Sequence, residues 1–103
     1  MKVHILYHGP SGRNFYFASD PRKKPVAELY ASLKEAGLES EASMEAFEAH
    51  LSKKEKLNGD EIESIRENKR KFQEKFYEWL RSLTFDDFCN EEVFFHSTEN
   101  LID

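Results

Sequence analysis

Ile62, Ile65, Lys69, Phe72, Phe76, Trp79 and Leu83 recur at spacings of 3, 4, 3, 4, 3 and 4, the strongest periodicity in the chain. Only an α-helix brings residues so spaced onto one side, and a stripe this apolar has to be covered by something. The spacing predicts one helix over 60–83, opened by Asp60 with Glu63 three residues on as a capping-box pair. Upstream, Met44, Phe47 and Leu51 repeat the period, with Ser40 or Ser43 as cap and Asn58-Gly59 as the break between the two helices. The nearest cover for the stripe is this preceding helix, folded back as a long helical hairpin. Lys69 is the polar member of the seam. Its stem can lie along apolar surface while its ammonium reaches Glu48 or Glu55 on the neighbour, or the seam opens there and a second copy completes it as a homodimer.

The N-terminal third reads differently. Val3, Ile5 and Tyr7 alternate with His4, Leu6 and His8, and Phe15 and Phe17 alternate with Asn14, Tyr16 and Ala18. Period-two runs rich in aromatic and β-branched residues, separated by a Gly/Pro/Ser stretch, predict an antiparallel hairpin with strands at 2–8 and 14–18. Asp20-Pro21 ends it, and a short helix carrying Val26, Leu29, Tyr30 and Leu33 follows Pro25 and stops at Gly37. Thr84 with Asp87 caps a short turn or helix bearing Phe85, Phe88 and Cys89, and residues 93–97 predict a third strand added to the hairpin. The expected fold is α+β. A small antiparallel sheet packs against three helices in a single domain over 1–103, with a loose acidic tail from about residue 97.

The loop between the first two strands, His8-Gly9-Pro10-Ser11-Gly12-Arg13, superficially matches phosphate-binding and catalytic loops. A P-loop requires Gly-Lys-Ser/Thr opening a helix, whereas an aromatic strand follows here. A nucleophile elbow requires Gly-x-Ser-x-Gly, and the second glycine comes one residue early. The hairpin turn is the reading that remains. The segment ILYHG followed by FYFASD nevertheless resembles the opening of an ADP-ribosyltransferase domain of the histidine-tyrosine-glutamate type. That resemblance, over about thirty residues, implies NAD contacts from His8 and Gly9, a nicotinamide-stacking role for Tyr16 and a catalytic role for Glu92. The chain departs from that family in the short segment 9–14 between the two motifs and in its overall size.

Other constellations point away from chemistry. His4 and His8 share a strand side but stand about 13 Å apart, too far to hold one metal together. Cys89 is the only cysteine, so an internal disulfide and a cysteine-based zinc site are both impossible. Asp86-Asp87 and Glu91-Glu92 are adjacent carboxylates that read as solvated surface. Neither a catalytic set, nor a metal site, nor a cofactor is expected. No leader and no membrane span is visible, and a cytoplasmic location is expected.

Charge is distributed unevenly. The net charge of −5 is concentrated in the last twenty residues, where Asp86, Asp87, Glu91, Glu92, Glu99 and Asp103 meet no Lys or Arg. A partner for this segment would present a basic surface. With Phe85, Phe88, Phe94 and Phe95 among those acids, the expected site is a protein-binding patch with an apolar centre and an acidic rim. Small acidic proteins of this build include inhibitors and adaptors of phage and other mobile elements, some of them anti-defence proteins and mimics of DNA charge, and a non-enzymatic role of that kind is the leading expectation. The alternatives are an NAD-binding protein of the kind above and a nucleic-acid binder using Arg66, Lys69, Arg70 and Lys71. Glutamates interleaved with those four cations favour an ion-paired helix face instead.

Overall fold

The structure is a computed structural model that describes residues 2–101. Strand β1 (Lys2–His8) is the centre of a three-stranded antiparallel sheet of order β2-β1-β3, flanked by β2 (Arg13–Phe17) and β3 (Phe94–Asn100). Between β2 and β3 run a 3₁₀ turn (Pro21–Lys23) and five helices, α1 (Val26–Glu35), α2 (Ala42–Lys53), α3 (Gly59–Glu67), α4 (Lys69–Ser82) and α5 (Phe85–Glu92). The α+β architecture is the expected one. The sequence predicts three helices and a short turn or helix after Thr84, where five helices are found, and the strand expected at 93–97 runs on to Asn100.

β3 pairs with β1 along its whole length, from Phe94 opposite His8 to Asn100 opposite Lys2. Residues 97–100 are thus strand and not loose tail, because a seven-residue central strand offers ladder partners well past the last aromatic. Asp103 lies outside the described residues. In the His8–Arg13 turn, the Gly12 N–H donates to the His8 carbonyl at 2.8 Å, and Gly12 takes φ 68°, a conformation that a Cβ would oppose.

The predicted 60–83 helix is broken at Asn68, whose backbone is extended at φ −94°, ψ 92°. Its side chain accepts from the Lys71 N–H at 3.2 Å, capping α4. An asparagine amide competes with the helical ladder by bonding backbone two or three residues on, and here that competition ends α3 and starts α4. The capping box of α3 also sits two residues earlier than expected. Asn58 accepts from the Glu61 N–H at 2.8 Å and the Glu61 carboxylate accepts from the Asn58 N–H at 3.3 Å, which starts the helix at Gly59. Thr84 and Asp87 form the expected box on α5. Ser40 accepts from the Ala42 N–H at the start of α2, whereas Ser43 lies inside that helix and is buried.

Much of the stripe is covered by the other helices of the same chain. Phe47 of α2 lies against Phe72, Phe76 and Trp79 of α4 with ring centroids 5.3 to 5.5 Å apart, and Tyr30 of α1 meets Phe76 edge-on. Lys69 does not reach Glu48; Arg66, one turn away, makes that ion pair. One continuous core joins these rings to Leu6, Phe15, Phe88 and Phe94 from the other end of the molecule. Arg13 ties the hairpin to α1 by donating to the Ala36 and Gly37 carbonyls at 3.0 and 2.6 Å, where the helix ends in a glycine at φ 97°.

Cys89 is buried in this core, and burial, reinforced by Asp86, pushes its thiol up to about 12. Only the thiolate attacks disulfides and alkylating agents. The native protein should therefore leave Cys89 unmodified by Ellman's reagent at pH 8 and release one equivalent of colour on unfolding in urea. Rapid reaction of the folded chain would contradict its burial.

Candidate functional site

The pleat sorts the sheet residues into two faces. His4, Leu6, His8, Phe15 and Phe94 point into the helices and are buried, while Val3, Ile5, Tyr7, Asn14, Tyr16, Phe95, Ser97 and Glu99 occupy the opposite face. Register places Ile5 between Tyr16 and Ser97, and Tyr7 between Asn14 and Phe95. Tyr7 and Phe95 touch, with ring centroids 6.4 Å apart. Exposure is 41% for Tyr7, 65% for Tyr16 and 59% for Phe95, large values for aromatic side chains sharing one sheet face. Val93 extends the patch over the hairpin turn. A Cβ on Gly9 would stand 3.1 Å from Val93 and 3.6 Å from Phe95, so the glycine lets both close over it. Among the outward strand positions described, Glu99 alone is charged.

This face differs from the patch read in the sequence. Phe95 is on it, but Phe88 and Phe94 are 0% and 5% exposed and belong to the core, as does Glu92 at 0%. Phe85 is half-buried with its ring edge-on to His96, and Asp86, Asp87 and Glu91 are exposed along α5. Alternation explains the split: adjacent strand residues face opposite ways, so Phe94 and Phe95 cannot share a surface. Tyr7 reads in the sequence only as a hairpin residue, and Tyr16 as that and as the nicotinamide-stacking position the family resemblance implies. Pairing Tyr7 with Phe95 needs the β1–β3 register, which no local signal carries.

Of the basic residues Arg66, Lys69, Arg70 and Lys71, two are engaged in ion pairs. Arg66 pairs with Glu48, and Arg70 with Glu74 at 3.3 Å. Arg66 and Lys69 rim an aromatic groove of about 330 Å³ over Tyr30, Phe72 and Tyr77, and Lys69 shares a second hollow with Lys71, which also lines a third with Asp60 and Glu61.

His8 and Tyr16 fall on opposite faces of the sheet, His8 1% exposed and Tyr16 on the open side, so they cannot hold one nicotinamide between them. His8 and Glu92 do come together. The Ser11 hydroxyl lies 2.7 Å from His8 Nδ1, and His8 Nε2 faces Glu92 Oε2 at 3.9 Å. Glu92 Oε1 accepts from the backbone N–H of Ser43 at 3.0 Å and from its hydroxyl. The contacts run from serine to histidine to glutamate, the order of a catalytic relay, which also requires backbone donors for an oxyanion beside the serine. The N–H groups of Gly9 and Gly12, the glycines of this turn, are already used, Gly9 to Val93 and Gly12 to His8. The chain of contacts fastens the hairpin turn, the α5–β3 corner and the start of α2 to one another. At that corner Val93 is held at φ 59°, a strained conformation for a β-branched residue, which turns Glu92 inward.

At the opposite end of the sheet, His4 and His96 stack with rings 7° from parallel, and His4 Nδ1 is 3.1 Å from His96 Nε2 and 4.0 Å from Asp20 Oδ1. The Arg22 guanidinium on Asp20 holds its carboxyl well below the usual carboxylate range. Burial, with Arg22 nearby, lowers the pKa of His96 and so favours its neutral imidazole.

Comparison with family models, with curated proteins and with solved structures finds no match for this chain. Among the described residues no helix is long and apolar enough to cross a membrane.

Proposed function

We propose that the protein is a non-enzymatic protein-binding module of the inhibitor or adaptor kind whose working surface is the open face of its sheet, centred on Ile5 and ringed by Tyr7, Tyr16 and Phe95. The observation that carries this reading is a set of large aromatic side chains, three of them over 40% exposed, on a sheet face that none of the described helices covers. Aromatic anchors around an apolar centre are the residues that dominate protein interfaces.

Charge selects the partner. Single-stranded nucleic acid also stacks on aromatic sheets, but it needs cations beside the rings, and the outward positions of these strands carry none. The partner is a protein presenting apolar side chains with a basic group beside them, complementary to Glu99, the one charged outward position of the strands. A second copy of the chain would bring the same acidic charge to the contact, which disfavours self-association.

The test uses the wild-type chain and a Tyr7→Ser/Phe95→Ser variant as paired baits in lysate of the source cell. Both substitutions are at exposed positions and should leave thermal unfolding nearly unchanged. A protein held by the wild type in low salt and weakened about thirtyfold or more in the variant is the expected result. Equal retention on both baits, or a purified chain that is dimeric by light scattering, would overturn the assignment.

A further inference from the structure

We propose that His4, Asp20 and His96 form a binding site for one zinc-class divalent metal ion. The three ligands come from β1, from the segment after β2 that caps the 3₁₀ turn, and from β3, and their donor atoms all lie within 4.8 Å of one another. In a tetrahedral site with metal–nitrogen bonds of about 2.0–2.1 Å, neighbouring donors stand about 3.3 Å apart. The observed spacings of 3.1 Å between the imidazole nitrogens and 4.0 Å from His4 to Asp20 bracket that value.

Topology produces the cluster. Register sets His4 opposite Thr98 and Leu6 opposite His96, so the two histidines are diagonal neighbours on the inward face, within reach of one another. On the other side His4 is opposite Phe17, near the end of β2, and the chain turns at Asp20 back across the same end of the sheet. Two of the ligands are also held by groups outside the cluster. Asp20 is oriented by Arg22, which donates to both carboxylate oxygens, and Phe85 stands edge-on to His96 at 5.9 Å. Outer contacts of this kind fix metal ligands and tune their affinity. Two imidazoles and one carboxylate suit zinc, nickel, copper or iron, leave a position for water, and do not suit magnesium, which demands six oxygens.

A hydrogen bond between the two imidazoles is the competing account of the 3.1 Å contact, and titration separates the two. Metal-free protein is titrated with ZnCl₂ in a calorimeter and, in parallel, with CoCl₂ followed by visible absorption. One zinc ion per chain should bind in the micromolar range or tighter, Co²⁺ should give the intense bands of a four-coordinate complex, and MgCl₂ should give neither heat nor a thermal shift. His96→Gln and Asp20→Asn should each weaken zinc binding about tenfold or more, whereas His50→Gln, remote from the cluster, should not. If His96→Gln fails to fold by circular dichroism, Asp20→Asn, on the loop, decides alone. No zinc binding below millimolar concentration, or binding that Asp20→Asn leaves intact, would overturn the proposal.

Discussion

Replacing Glu92 by alanine is expected to destabilise the protein by about 3–5 kcal/mol. The carboxylate is completely buried and accepts from both the backbone N–H and the hydroxyl of Ser43, itself 1% exposed. Its removal strands these two donors and takes away the group facing His8 Nε2, and each buried polar group left without a partner costs about 1–3 kcal/mol. Glu92→Gln keeps the shape, an acceptor for Ser43 and a donor toward His8, and should recover more than half of the loss. Urea unfolding followed by Trp79 fluorescence measures both. A loss below 1 kcal/mol in Glu92→Ala would show that the hairpin turn and α2 do not depend on this carboxylate.

Phe47→Ala should be comparably severe. Phe47 is 1% exposed and is the one α2 ring in contact with Phe72, Phe76 and Trp79 together, so its loss opens a cavity between helices that meet largely through it. Truncating a buried phenylalanine costs about 3–5 kcal/mol, and the edge-to-face pairs add to that cost. In a domain whose total stability is about 5–15 kcal/mol, much of the population would be unfolded at physiological temperature. Phe47→Leu, which refills most of the volume, should lose far less. A midpoint for Phe47→Ala close to that of the wild type would mean that α2 and α4 are held by other contacts.

The two variants probe features that differed in how far they could be read from sequence. The α2–α4 contact announces itself locally, because Phe47 and the Phe72–Trp79 stripe each follow the helical period. The break at Asn68 does not, since the apolar residues keep their spacing across it and one amide bonding to Lys71 N–H decides the matter. Glu92 looked like surface beside Glu91. Its burial follows from the left-handed turn at Val93, which nothing in the short-range pattern requires. The binding face was legible only in part. Phe95 was visible as an aromatic in an acidic segment, but its separation from Phe94 and its union with Tyr7 and Tyr16 depend on the pairing of β1 with β3, ninety residues apart in the chain. Asp20 was legible only as the end of a strand, and its approach to His4 and His96 is again a product of pairing.

The open sheet face is most directly tested by placing a photo-crosslinking phenylalanine analogue at Tyr16 and, separately, at Lys53 at the far end of α2, and irradiating each in lysate of the source cell. Both positions are exposed, so they differ in the surface they report. The account predicts a covalent adduct with one other protein from position 16 and none from position 53. An adduct from position 53 with none from position 16 would contradict it.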